Sequence, residues 1–290
     1  MKPLIALLLT TAAAQACPQY DTVVAAVQAN DQTGAEVLYE EIVFSAACDD
    51  AIREWVGDYL ARENFLTAMN SEDGATKRAL LTRALGFEKH WRSYAELGRL
   101  AWDEGRYAEA AVNLQLAINE LAEGDQTHAA ETSEIAEIYD LATAAIALAD
   151  EAVALPKTRS GAVGGIMTMN VRGFAVEEVS LPITFEYNST SFDASGQSYA
   201  QTLVDHVLMT APPSIALGGH TDPVGGEAYN LDLSVARAAA VETLLRDSGY
   251  QGDITVQGYG ESQLPPAPPG IIEGSEEHHR IARRVAFALN

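Results

Sequence analysis

SIALGGHTDPVGGEAYNLDLSVARAAAVETLLRDSG, residues 214–249, is the stretch on which the fold turns. Ser214 to Gly219 is a short apolar run that follows Pro212-Pro213, so it reads as a strand. His220 to Gly226 holds Pro223, Gly225 and Gly226 and reads as a loop. From Glu227 to Ser248 no Gly or Pro intervenes, and Gly249 stands where a helix commonly stops, which predicts one long amphipathic helix. Within it Asn230, Ser234 and Arg237 fall at i, i+4 and i+7, predicting one polar stripe, with Leu231, Val235, Ala238 and Leu245 expected to face a sheet. Asp222 lies on the loop just before the helix, so an acid and a guanidinium are expected to converge at one mouth. Such a pair complements a zwitterion. Arg237 can fork a carboxylate through two parallel bonds, and Asp222 can accept from an ammonium. The same two residues could equally close on each other as an internal salt bridge.

Outward from this stretch, Ile183, Phe185 and Tyr187 alternate as a strand does and lead into the polar turn Asn188-Ser189-Thr190-Ser191. Ala194 to Met209 reads as a helix, Ile254 to Gly258 as a third strand and Arg284 to Ala288 as a fourth. The order β-α-β-α-β-β in so short a segment implies a small mixed sheet with helices on one face. Together with a helical N-terminal half, this makes the fold class α+β.

The run Gly219-His220-Thr221-Asp222, then Gly225, Asn230, Leu233-Ser234, Arg237-Ala238 and Val241, is similar to the signature of OmpA-like peptidoglycan-binding domains. Gly258-Tyr259-Gly260-Glu261 with Pro265, and Arg283-Arg284-Val285, match the later pieces of that signature, so the resemblance covers about Leu181 to Asn290. One position departs from it: the family usually has Asn before the paired arginines, where this chain has Ala282. The resemblance implies a ligand, the free amine and carboxylate end of meso-diaminopimelate in peptidoglycan stem peptides. It implies a binding set of Asp222 and Arg237, joined by Thr221, Asn230 and Asn188.

Catalytic readings find little support. His220 lies near Asp222, but no Ser or Cys nucleophile motif accompanies it. His278 and His279 beside Glu276 and Glu277 do not share a helix face and read as a solvated charged turn, not a metal site. Gly258 and Gly260 complete no phosphate-binding fingerprint and read as turn glycines. No catalytic residue, metal or cofactor is expected.

From Tyr20 to about Ala152 the chain is nearly free of Pro and rich in Ala, Leu and Glu at helical spacing. Leu97-Gly98, Ala101, Gly105, Tyr107, Ala110, Leu114 and Ala117 are spaced so that Trp91 to Ala122 resembles one tetratricopeptide unit. Leu81 and Ala84, 33 residues before Leu114 and Ala117, suggest a weaker one ahead of it. Such hairpins bury their apolar faces by stacking, and tetratricopeptide arrays commonly bind a protein partner. Around Pro156, Gly161, Gly164 and Gly165 the helical texture breaks, which reads as a linker, and Met167 to Phe174 alternates like a strand. The expected organisation is therefore a helical domain over 17–155, a linker over 156–180 and the sheet domain over 181–290.

Residues 1–16 have the form of a secretory signal: Lys2, the apolar Leu4 to Leu9, and Ala14-Gln15-Ala16 before a cut. That run is too short to span a bilayer, and no other stretch is long and apolar enough. The two cysteines, Cys17 and Cys48, are expected to pair in an oxidising compartment; a lipid on Cys17 is the rival, although Ala14 and Gln15 suit a lipoprotein signal poorly. The formal net charge of −23 with pI near 4.4 repels phosphate backbones, so nucleic acid is not an expected partner. Residues 18–150 hold 25 acidic against 9 basic side chains, which makes the helical half the better face for a cationic partner. The composite expectation is a periplasmic, non-enzymatic protein that ties a partner or the outer membrane to the cell wall. The alternative is a helical scaffold whose sheet domain is structural only.

Overall fold

The computed structural model describes residues 17–124, 130–159, 161–168, 170–171, 174–176, 178–186 and 189–289. The expected leader, residues 1–16, and Asn188 lie outside the described residues. The chain forms two compact units, Met1–Glu96 and Leu97–Asn290. The first is all-helical: α1 Tyr20–Gln28, α2 Gln32–Phe44, α3 Asp50–Met69 and α4 Gly74–Phe87. Three of these begin at an aspartate that accepts from a backbone N–H of the first turn: Asp31 from Gly34, Asp49 from Ile52 and Asp73 from Thr76. Each such cap satisfies a donor the helix cannot, for about 1 kcal/mol. Val23, Ile42, Ile52, Val56 and Leu60 form the core. A disulfide joins Cys17, ahead of α1, to Cys48, in the loop between α2 and α3, with Cα atoms 4.5 Å apart. In this structure the sulfur of Cys17 is thus committed to Cys48.

Helix α5, Trp91–Asp103, crosses the boundary between the units. Beyond Leu97 it turns back into α6, Tyr107–Glu123, at Gly105, whose φ of +70° favours glycine. Gly98 lies so close to Leu114 that an added Cβ would fall 2.6 Å from its Cγ. Tyr107 meets Trp102 edge-on at 5.2 Å. Small residues at the helix contact and an aromatic across the turn are the packing that the spacing of this segment predicts. Helix α7, Thr132–Leu148, packs on α6, with Leu114, Ile118 and Leu121 of one and Ile138, Ile146 and Leu148 of the other buried.

The stretch expected as a linker, 156–180, is folded against these helices. Gly164 precedes a 3-10 turn, Gly165–Met167, and the Gly165 N–H donates to Asn119 Oδ1 of α6 at 2.6 Å. The Tyr139 hydroxyl of α7 donates to the Thr168 carbonyl. Ile166, Met167 and Val171 are buried, and full burial of such side chains is worth about 1.5–3 kcal/mol each. The single strand expected over Met167 to Phe174 is instead this turn followed by the short pair β1 Asn170–Val171 and β2 Phe174–Ala175. Glycines marked a tight turn against α6, not a flexible spacer.

The second sheet contains β3 Val179–Leu181, β4 Ser214–His220, β5 Asp253–Gly260 and β6 Val285–Leu289, in the order β3-β6-β4-β5. β4 and β5 are parallel, and the other two pairings are antiparallel, so the sheet is mixed as expected. Helix α8, Ala194–Thr210, precedes β4; α9, Glu227–Asp247, links β4 to β5; and α10, Glu276–Ala282, precedes β6. The first strand lies earlier than Ile183 to Tyr187 because Pro182, with no N–H to donate, ends it. Among the described residues no helix is long and apolar enough to cross a membrane.

The face that α9 turns to the sheet also differs from expectation. Asn230, Ser234, Ala238, Val241 and Leu245 are buried, whereas Leu231 and Val235 are 46% and 42% exposed. The reason is steric. A Cβ on Gly219 would sit 2.0 Å from the Ser234 carbonyl oxygen, and one on Gly258 would sit 2.4 Å from Ser234 Oγ. The helix therefore lies directly on bare backbone at these two glycines, with Ser234 turned down onto the strands.

Closing a loop of 31 residues, the disulfide should stabilise the first unit by roughly 3–4 kcal/mol through loss of unfolded-state entropy. Urea unfolding of the full chain followed by circular dichroism, with and without reductant and in Cys17→Ser/Cys48→Ser, should show one transition moving to lower urea. Superimposable curves would refute this.

Candidate functional site

The end of β4 is pinned on both sides. His220 N–H donates to the Arg284 carbonyl at 3.0 Å, and Thr221 N–H donates to the Gly260 carbonyl at 2.9 Å. Ser234 Oγ accepts from Gly260 N–H at 2.9 Å and donates to the Leu231 carbonyl at 2.7 Å, so helix, β5 and the loop after β4 move as one body. Asp222 then folds its side chain back, Oδ1 accepting from Val224 N–H at 2.9 Å, which closes the loop as aspartate commonly does. Asn230, 2% exposed, donates its amide to the Asp222 carbonyl at 3.3 Å and to Glu261 Oε2 at 2.6 Å. The resemblance placed Asn230 among the binding residues; its side chain is spent holding the loop that carries Asp222.

Asp222 and Arg237 do not form a salt bridge with each other. Asp222 Oδ2 lies 2.6 Å from Arg283 Nη1, and the other arm of Arg283 reaches Glu276 Oε1 at 2.6 Å. The sequence analysis placed Arg283 only in the run Arg283-Arg284-Val285 and missed this pairing. Arg237 instead places its guanidinium carbon 5.0 Å from the centroid of the Phe185 ring. Phe185 is held there by the loop before α8, where Asp193 Oδ1 accepts from both Thr184 Oγ1 at 2.8 Å and Gly196 N–H at 2.7 Å. Burial pulls the Arg237 pKa below the ordinary guanidinium value; Arg283 acts in the same direction, and Tyr229 and Asp222 act against it.

Arg237 borders a cavity of about 360 Å³ whose lining also includes Phe185, His220, Arg280, Arg283 and Arg284. Buried polar atoms rarely lack a hydrogen-bond partner. Among the described residues twelve buried side-chain atoms do, and four of them are Arg237 Nε, Thr221 Oγ1 and the two ring nitrogens of His220. His220 stacks on Tyr259 with centroids 5.0 Å apart. Desolvation, with the Arg284 charge added, pushes its pKa from 6.5 down to about 3, so the ring is neutral. The mouth is thus positive in a protein whose net charge is −23, and it presents a desolvated guanidinium without an acidic partner. Chemically, that arrangement receives a carboxylate.

His278, expected on a solvated turn, is buried on α10 and serves as a bracket: its Nδ1 accepts from Gly274 N–H at 3.0 Å, and its Nε2 meets the Pro265 carbonyl at 2.8 Å. Sequence reasoning missed α10 because its seven residues are mostly polar or charged.

The model of the OmpA family matches residues 184–276. Outer membrane porin F of Pseudomonas aeruginosa is 32% identical over 112 residues, which is 38% of this chain and 32% of that protein. The outer-membrane lipoprotein YfiB of the same organism is 27% identical over 124 residues, covering 40% of this chain and 73% of its own length. Among solved structures, the peptidoglycan-associated lipoprotein from Burkholderia pseudomallei is 25% identical over 39% of this chain and 92% of its own, with a TM-score of 0.31. The chain spans about a third of the length of the porin F relatives it matches.

A histidine held neutral in the fold but free to protonate when unfolded stabilises above its unfolded pKa of 6.5; that stabilisation drains away as pH falls toward about 3. Relative to His220→Gln, the wild type should lose up to about 1.4 kcal/mol for each pH unit below 6.5. Urea midpoints at pH 7 and pH 5 measure it, and parallel pH profiles would contradict the neutral buried ring.

Proposed function

We propose that this chain is a non-enzymatic cell-envelope protein that binds peptidoglycan without covalent chemistry, through the diaminopimelate end of the stem peptide. The observation that carries this reading is the Arg237 guanidinium, on the segment that matches the OmpA family, desolvated over Phe185 with a buried unpartnered Nε at the border of the cavity. Arg237 receives the ligand carboxylate. Asp222, held by Arg283 on one oxygen and by its own loop on the other, accepts from the ligand ammonium. The two oxygens of a carboxylate offer about four acceptor sites together, so the Arg283 bridge and the Val224 bond orient Asp222 without exhausting it. Thr221 Oγ1, also buried and unpartnered, adds a neutral contact.

The tetratricopeptide-like hairpin of α5 and α6, the acidic helical half and the leader-like residues 1–16 support an exported protein whose helices hold a partner. The names of its relatives, an outer-membrane porin and an outer-membrane lipoprotein, support a location in the cell envelope. A second reading, in which the sheet domain is structural and the helices are the working part, draws on one observation: Asp222 is already ion-paired with Arg283 at 2.6 Å.

Purified sacculi distinguish the two. Arg237→Ala and Asp222→Ala should each lose on the order of 2–5 kcal/mol of affinity, which a pulldown reads as near-complete loss of bound protein. Arg237→Lys should also weaken binding, since an ammonium cannot reproduce the two-bond fork. Retention of wild-type affinity by both alanine variants, with circular dichroism unchanged, establishes the scaffold reading instead.

A further inference from the structure

We propose that Arg280, positioned by the C-terminal end of α7, forms a second carboxylate subsite in the same cavity, so that the helical segment itself selects which stem peptides are bound. This rests on the peptidoglycan reading above and adds to it. The cavity is not built by the OmpA-like segment alone: Ile146, Ala149 and Asp150, at the end of α7, form one wall. Arg280 stands on α10, beside that wall, and its Nη2 donates to the Ala149 carbonyl at 3.0 Å. Its Nη1 lies 3.9 Å from Asp150 Oδ1, and the Asp150 side chain is 99% exposed. A carboxylate in open solvent at that distance contributes little. The Ala149 carbonyl therefore aims the guanidinium, while its ionic valence stays available to a ligand that enters the cavity.

The lining supports a ligand with two negative groups. Arg237 and Arg280 border one space of about 360 Å³, within the range that holds a small molecule and not a single ionic head. The other two arginines are committed elsewhere: Arg283 to Asp222 and Glu276, and Arg284 to the Gln263 carbonyl and Ser180 Oγ. A stem peptide that ends on diaminopimelate offers two free carboxylates. The one beside the free amine goes to Arg237, and the other, which becomes an amide when the stem is longer, goes to Arg280. A stem extended by one residue would leave Arg280 facing an uncharged amide.

Calorimetry on the full chain with two soluble probes tests this: a stem tripeptide ending on diaminopimelate, and the same tripeptide with its terminal carboxylate amidated. The wild type should prefer the free acid by about 10- to 100-fold, the worth of a charge-assisted fork. Arg280→Gln should abolish the preference by weakening the free acid to the level of the amide, while its affinity for the amide stays at wild type. Arg280→Lys should retain only part of the preference, and Asp150→Asn should leave it intact or increase it. Arg237→Ala should lose both probes. An undiminished preference in folded Arg280→Gln, with binding still abolished by Arg237→Ala, overturns the second subsite alone. Failure of the wild type to bind either probe overturns it together with the peptidoglycan reading.

Discussion

Ser234 sits where no larger side chain would fit, with its carbonyl and hydroxyl pressed onto Gly219 and Gly258, and the rest of the sheet domain follows from that approach. With α9 this low on the strands, the Gly260 N–H can reach Ser234 Oγ, and Asn230, one turn earlier, can reach the Asp222 carbonyl and Glu261. These three bonds fix the loop after β4 that carries Asp222. Three residues beyond Ser234, Arg237 leaves the buried face at an angle that carries its guanidinium over Phe185. Close backbone packing, which costs conformational freedom in glycine, is here what gives a loop the rigidity that ligand recognition needs.

The electrostatics of the mouth run against those of the molecule. A net charge of −23 would draw cations to most surfaces, yet four guanidiniums border one cavity. Three of them are answered at least in part by carboxylates or carbonyls, and Arg237 is answered by an aromatic face. A desolvated guanidinium on a ring is a less complete settlement than an ion pair, and the cost is recovered when a carboxylate arrives. His220 beside it stays neutral, so mild acidification does not add charge to the cavity.

Much of the fold could be read from the sequence because it rests on periodicity and on punctuation by Gly and Pro. The strand over 214–220, α8, α9 and the strand after residue 252 lie within a few residues of where the pattern puts them. The pattern failed where a small residue mattered more than a hydrophobic one. Leu231 and Val235 look like a core stripe, but Gly219 and Gly258 let Ser234 come down onto the strands, and the helix is rotated accordingly. The site divided the same way. Arg237 and Asp222 stood out in the sequence as opposite charges expected at one mouth, yet Arg237 borders the cavity and Asp222 is not among its lining residues. The interposition of Arg283 was not legible, because 61 residues separate it from Asp222 and both arginines of the pair look alike in one dimension. Glycines at 161, 164 and 165 read as flexibility, whereas the last two are required by the nearness of Asn119 and Gln115.

The segment 156–180 has a mechanical consequence. As a free linker, about 25 residues could extend by roughly 85 Å and let the sheet segment wander from the helices. Fastened by Asn119 and Tyr139 and buried through Ile166, Met167 and Val171, it holds that length in reserve. The connection is therefore short and stiff under small forces. Only a pull strong enough to strip the segment from α6 and α7 would release the stored length, so the connection yields in a step, much as a stitched fold in a strap does.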